Sequence, residues 1–219
     1  SGTDQVYAWL LTCNGIDLVN SPVISGGFAN CSGNEERGGM SFNWDGTQFV
    51  SAHPSGWPDE KFYVADFDKK TGQMTIESSC SPTNAFPYDV TFSPNNSRVI
   101  YSDNLGSVST LDISSGVNAT IEASATLIAA GGTGHSAIEI GADGNLYRSS
   151  LGGNNLCRLT GSLNAGSALT VNGNLVGNTS RGLPTIYIPP AEEPDIEEVG
   201  PFCSSLDSII DLHTYWICD

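Results

Sequence analysis

Apolar and polar positions alternate in short bursts along this chain, and the bursts recur in a pattern written three times. It reads GGMSFNWDGTQFVSA from Gly38, PYDVTFSPNNSRVIYSD from Pro87 and HSAIEIGADGNLYRSS from His135, about 48 to 50 residues apart. Each copy is an apolar run of period two, a turn pair (Asp45-Gly46, Asn95-Asn96, Asp143-Gly144) and a second apolar run. Period two marks a half-buried strand, and Asp-Gly between two such runs predicts a two-residue hairpin turn with positive φ. Self-similarity at this period predicts a repeat architecture, and four-stranded propeller blades have about this length.

Each repeat runs on into a second strand pair. The first continues as FYVADFDKKTGQMTI (Phe62 to Ile76), turning at Lys69 to Gly72. The second continues as SVSTLDISSGVNATI (Ser107 to Ile121), turning at Ser114 to Gly116. The third gives NLCRLTGSL (Asn155 to Leu163), followed by Ala168 to Val176. We label the four strands of a blade a, b, c and d. VYAWLLTCNGIDLVNSPVIS (Val6 to Ser25) matches c and d alone, with Asn14-Gly15 as its turn, and GLPTIYIPP (Gly182 to Pro190) stands where another strand a begins. Two architectures satisfy this phase. One is a propeller of about four blades closed by joining its ends, with Thr185 to Ile188 supplying a strand to the first blade. Closure removes the exposed edges that invite aggregation. The other is a section of a larger propeller whose upstream blades lie outside this chain.

The domain reading is therefore a β-propeller over 1–188. PPAEEPDIEEVGP (189–201) reads as an acidic, proline-rich extended linker. FCSSLDSIIDLHTYWICD (202–219) reads as a C-terminal arm or the start of a further β module. As a free tail it would expose Ile209, Ile210, Tyr215 and Trp216, which makes them candidates for assembly contacts.

Composition agrees with an all-β reading: 25 Gly and 11 Pro in 219 residues point to many turns. With 24 acidic against 8 basic residues and a net charge of −16, nucleic acid and anionic lipid are disfavoured as partners. The same excess suits a soluble acidic surface or, alternatively, binding of a divalent cation such as calcium. No apolar run is long enough to span a membrane, no basic-then-apolar leader is present, and a start at Ser1 without Met reads as mature or excised. Six cysteines (Cys13, Cys31, Cys80, Cys157, Cys203, Cys218) without a CxxC pair argue against zinc and for disulfides in an oxidising compartment. Closeness in sequence pairs Cys13 with Cys31 and Cys203 with Cys218, leaving Cys80 with Cys157; buried free thiols are the alternative. Sequons at Asn30, Asn95, Asn118 and Asn178 are compatible with a glycosylated secreted protein, at roughly the number chance supplies.

The order YAWLLT…SPVIS, DFDKKTGQM, PYDVTFSPNNSRVIYSD, HSAIEIGADGNLYRSS and RGLPTIY resembles the propeller region of large secreted surface proteins of Bacteroidota, from about Tyr7 to Tyr187. Those proteins often continue into a PKD-type immunoglobulin-like module and a type IX secretion signal. Asn96 stands here where that family closes an "SPDG" turn with Gly, and Thr185 where its "GLPnF" carries Asn. Both are turn and packing positions. The resemblance implies an extracellular or cell-surface location and supplies no catalytic residues.

Candidate chemistry is sparse. His135 opens a strand a, and His53 follows a strand b on the loop AHPSGWPDE, so the two could meet at a channel mouth and bind metal. No GxSxG motif occurs. Paired carboxylates for glycoside cleavage could come from Asp66, Asp68, Asp89, Asp103 or Glu139. Asp66 and Asp68 end a strand c before a turn, where Asp ordinarily accepts backbone N–H groups and where a calcium site is the alternative. Glu139, between Ile138 and Ile140, reads as an inner-strand carboxylate facing the channel. Trp44, Trp57 and Tyr63 are placed on or near one rim, as interlayer core or as platforms for sugar rings.

The leading functional expectation is a non-enzymatic extracellular module for adhesion, scaffolding or surface-fibre assembly, in contact with protein subunits, surface glycans or copies of itself, and without a cofactor. The alternatives are a propeller enzyme of the lactonase, lyase or glycosidase kind acting at the channel mouth through His53, His135 and Glu139, and a carbohydrate-binding module built on Trp44 and Trp57.

Overall fold

The N-terminal segment forms two nested antiparallel pairs: β1 (Gln5–Ala8) with β4 (Val23–Gly26), and inside them β2 (Leu11–Thr12) with β3 (Gly15–Ile16). Three four-stranded antiparallel sheets follow, one per repeat, each with its strands in chain order. The first holds β5 (Met40–Phe42), β6 (Gln48–His53), β7 (Lys61–Asp68) and β8 (Gln73–Cys80). The second holds β9 (Pro87–Phe92), β10 (Arg98–Asp103), β11 (Val108–Asp112) and β12 (Thr126–Ala129). The third holds β13 (Ile138–Ile140), β14 (Leu146–Arg148), β15 (Asn155–Thr160) and β16 (Thr170–Val176). This is the propeller arrangement, with three whole blades preceded by a c–d pair among the described residues. The computed structural model describes residues 5–12, 15–28, 38–53, 61–82, 86–131, 134, 136–149 and 155–176. The expected linker, the C-terminal arm with Ile209, Ile210, Tyr215 and Trp216, and the strand at Thr185 to Ile188 lie outside the described residues.

Strands b and c read as near-continuous apolar runs because both faces are covered. Val50, Ala52, Phe62, Val64 and Cys80 of the first blade pack against Val90, Phe92, Val99, Tyr101 and Leu111 of the second. Ile100, Val108 and Ile128 of the second pack in turn against Ile138, Ile140, Leu146 and Leu159 of the third. The N-terminal pair covers the other side of blade 1, where Phe28 joins Phe49, Tyr63, Ala65 and Met74. Successive residues of one strand thus serve successive interfaces: Phe49 faces upstream and Val50 downstream.

The two-residue hairpin turn is corrected. Residues 43–46, 93–96 and 141–144 form turns closed from the last N–H to the first carbonyl, at 3.0, 2.9 and 2.8 Å. Only their last residues (Gly46, Asn96, Gly144) have positive φ, at 66°, 59° and 73°. The side chains explain this. Oδ1 of Asp45, Asn95 and Asp143 accepts the backbone N–H two residues on, at 3.1, 3.2 and 3.1 Å, which fixes the residue in a turn without left-handed backbone.

The second blade departs from the expected c–d turn. A short helix, α1 (Asn118–Ala123), follows β11, and strand d comes only at Thr126–Ala129. Ile121, 1% exposed, drops into the interface between blades 1 and 2. Asn118 Oδ1 accepts the N–H of Ser79 at 3.2 Å and Glu122 Oε1 that of Ser81 at 2.7 Å, so the helix also ties the two blades together.

Candidate functional site at the junction of the inner strands

The inner strands β5, β9 and β13 run side by side, each from the innermost position of its blade. Strands a begin and strands b finish at the same end, here termed the upper end. At that end Gly39 N–H bonds Tyr88 O at 2.9 Å and Ala52 N–H bonds Gly39 O at 2.9 Å, joining β6, β5 and β9. Asp89 stands where these three blades meet. Its Oδ1 accepts the N–H of Val90 at 2.9 Å, and its Oδ2 accepts the N–H of Ile138, across the blade interface, at 2.8 Å. Burial is the dominant influence and pushes this carboxyl up to about 6, against the two hydrogen bonds that favour its charged form.

Room for Asp89 is made by its neighbour. Gly39 and Ala137 hold the equivalent positions in blades 1 and 3, and a Cβ on Gly39 would collide with Asp89 Oδ1 and stand 2.8 Å from Asp89 Cα. Around the junction lie fully buried hydroxyls. Ser102 Oγ donates to Ser136 O, and Ser149 Oγ accepts the N–H of Ala137 at 3.0 Å. Arg148, 6% exposed, donates through Nη1 to the carbonyls of Gly106 (2.7 Å) and Ala130 (2.8 Å), clamping the b–c turn of blade 2 to the connection into blade 3. His53 ends β6, the strand paired with β5; its Nε2 is 3.0 Å from Ser51 Oγ and its ring meets Tyr63 edge-on at 5.1 Å.

Asp66 is exposed on β7. Asp68 caps its turn through Lys70 N–H at 2.8 Å, with Thr71 Oγ1 at 2.9 Å, and these bonds hold its carboxyl below the ordinary value. Asp103 likewise accepts the N–H groups of Leu105 and Ser107, both at 2.8 Å. Among the described residues no group of three or more metal-ligating side chains converges. Glu139 shares one face of blade 3 with Tyr147 and Arg158, its strand partners, while Ile138 and Ile140 face blade 2. The shared rim of aromatics is corrected. Trp44 lies in an a–b turn at the lower end, whereas Tyr63 is buried in the core opposite Ser51, because its ring completes the Phe28 cluster. Trp57 and His135 lie outside the described residues.

The disulfide between Cys80 and Cys157 is also corrected. Both are buried thiols outside any disulfide, on strand d of blade 1 and strand c of blade 3, which are separated by the whole of blade 2. Cys13, Cys31, Cys203 and Cys218 lie outside the described residues, as do Asn30 and Asn178. Asn95 and Asn118 are exposed, with their Oδ1 atoms engaged in the bonds given above.

Of the junction residues, sequence reasoning marked Asp89, as one of several carboxylates, and His53, as a channel-mouth candidate. The doublet Gly38-Gly39 was the available signal for the rest, since the other repeats carry Tyr88-Asp89 and Ser136-Ala137 there.

Fold and junction together define a β-propeller with one carboxylate embedded where its inner strands converge. No protein-family profile and no curated protein matches the chain. Solved structures do match. Pseudomonas aeruginosa periplasmic gluconolactonase superposes with a TM-score of 0.55 at 13% identity, over 81% of this chain and 50% of its own. A Lactobacillus plantarum protein gives 0.55 at 13%, over 80% and 50%. A Bacteroides fragilis protein provisionally named 6-phosphogluconolactonase gives 0.52 at 18%, over 68% and 44%. These likenesses establish the fold, and this chain spans about half the length of the structures it matches or less. They overturn the expectation of a module without enzymatic activity, which rested on the repeats, the cysteines, the missing catalytic constellation and the family resemblance: propellers of this fold include proteins named as lactonases.

Proposed function

We propose that this chain belongs to a propeller enzyme of the lactonase kind, which opens a cyclic sugar ester with water at the upper end of the blade row. The observation that carries the reading is Asp89: a partly buried carboxylate at the meeting point of three inner strands, pushed up to about 6. A general base works best when its pKa lies near the working pH. Asp89 takes the proton of a water as that water attacks the lactone carbonyl; the ring C–O bond then breaks, and the proton returns to the leaving alkoxide to give the hydroxy acid. The names of the structural neighbours support the substrate class. The test is proton release from glucono-δ-lactone at pH 6.5. The chain is expected to accelerate it above the uncatalysed background, and Asp89→Asn to lower the rate by about a hundredfold or more. Equal rates for chain and variant would remove Asp89 from the mechanism, and no acceleration would remove the activity.

A further inference from the structure

Each described arginine but one has a carboxylate beside it. Arg98 pairs with Asp112 at 3.3 Å and Arg158 with Asp143 at 3.9 Å. Arg148, at the upper end of β14, forms no ion pair among the described residues, although it is the most deeply buried of the three. Scarcity of acid is not the cause, since 24 acidic residues face 8 basic ones. The acids stand elsewhere: no Asp or Glu occurs in 123–138 or in 144–191, the stretches of chain on either side of β13 and around β14. Asp103, in the turn that holds Gly106, accepts the N–H groups of Leu105 and Ser107 instead.

The Arg148 guanidinium is anchored on one side. Nη1 donates to Gly106 O at 2.7 Å and to Ala130 O at 2.8 Å, which uses both of its hydrogens and fixes the plane of the group against blade 2. Nε and Nη2 donate to no group among the described residues, and neither is sealed from solvent. Nε–H and one Nη2–H run parallel along that edge, which is the fork that receives two oxygens of a carboxylate or phosphate. A buried cation is costly unless an opposite charge meets it, and two carbonyls supply dipoles but no charge. A clamp on two carbonyls needs a single amino group, so it leaves the charge and the second fork unused.

We propose that the Nε–Nη2 edge of Arg148 is an oxyanion site, which takes a carboxylate or phosphate group in two parallel hydrogen bonds at the upper end of the interface between blades 2 and 3. Arg148 is the strand partner of Ile138, whose N–H binds the Asp89 carboxylate, so the site adjoins the junction. Oxyanion binding there is independent of lactone opening, because it follows from the charge of Arg148 and not from the proton held by Asp89.

The probe is inorganic phosphate, titrated against the full chain at constant ionic strength and followed by phosphorus NMR line broadening. Saturable binding at one site is expected in the parent. Arg148→Lys keeps the charge and loses the fork, and is expected to weaken binding at least about tenfold. Arg158→Lys, on the exposed ion pair, is expected to leave it unchanged. Acetate displacing phosphate at equal concentration assigns the oxyanion to a carboxylate-bearing ligand, and phosphate staying bound assigns it to a phosphate; either result supports the site. Absence of saturable binding overturns the proposal, as does equal binding by the parent and Arg148→Lys. An equal loss in Arg158→Lys also overturns it, because binding then follows general positive charge. If Arg148→Lys fails to fold, the parent decides alone. Its Arg148 Nε–H resonance, assigned through the residue's own backbone, is expected to shift on saturation with phosphate, and an unmoved resonance overturns the proposal.

Discussion

Asp89 shows how one side chain can be read from its surroundings. Its carboxyl is raised by burial, so the folded protein binds a proton there more tightly than the unfolded chain does. The resulting contribution to stability is complete below the unfolded value of about 4 and is lost as pH rises through about 6. Asp89→Asn is therefore expected to flatten the fall in unfolding free energy between pH 4 and 7, read from urea midpoints. A variant with the same slope as the parent would place the titration elsewhere. Gly39 is the complementary case, because its lack of a Cβ is what the Asp89 carboxylate needs. Gly39→Ala is expected to cost about 1–3 kcal/mol through forced displacement of β9, measured as a lowered urea midpoint. An unchanged midpoint would mean that the two inner strands part without strain.

At the scale of elements, the turns set the blade geometry. Asn96 occupies the left-handed position that Gly46 and Gly144 fill in the other blades, and its Oδ1 also accepts the Trp44 N–H at 3.4 Å. Asn96→Ala is expected to destabilise by about 1–2 kcal/mol and Asn96→Gly to be nearly neutral, by thermal unfolding. Equal effects of both would assign the cost to the lost hydrogen bond instead. The strand pairs were legible because period two and Asp-Gly or Asn-Asn pairs recur at one spacing. Turn length was not, because Asp-Gly serves both the two-residue turn and the longer turn closed by an Asx side chain. α1 was not legible either: S-G-V-N-A-T-I alternates like a strand, and only the blade interface that receives Ile121 makes a helix the better solution.

At the scale of the whole molecule, the interfaces between blades decide what each cysteine does. Cys80 joins the core between blades 1 and 2, and burial, followed by the nearby Glu122 charge, pushes its thiol up to about 11. It is expected to resist iodoacetamide at pH 8 in the folded protein and to react once the chain is unfolded, since the thiolate is the nucleophile. Rapid labelling of the native chain would contradict its place in the core. The repeats made the blades readable, whereas the function was obscured. Three inner strands bring Asp89, Gly39 and the Ile138 N–H together from distant points of the chain, and no local motif announces them. The row of blades also explains why residues at one end of a strand matter together: strand ends from three sheets converge at the upper end, where Asp103 also caps its turn, while Asp45, Asp68 and Asp143 cap turns at the lower end.

The most direct measurement is the pH profile of kcat/KM for lactone opening, taken for the parent chain and for Asp89→Asn. The rate is expected to climb as Asp89 ionises, with a midpoint near 6 and a plateau above it, and the variant to lack this rise. A parent profile without an inflection in that region, or an unaltered one in the variant, would contradict it.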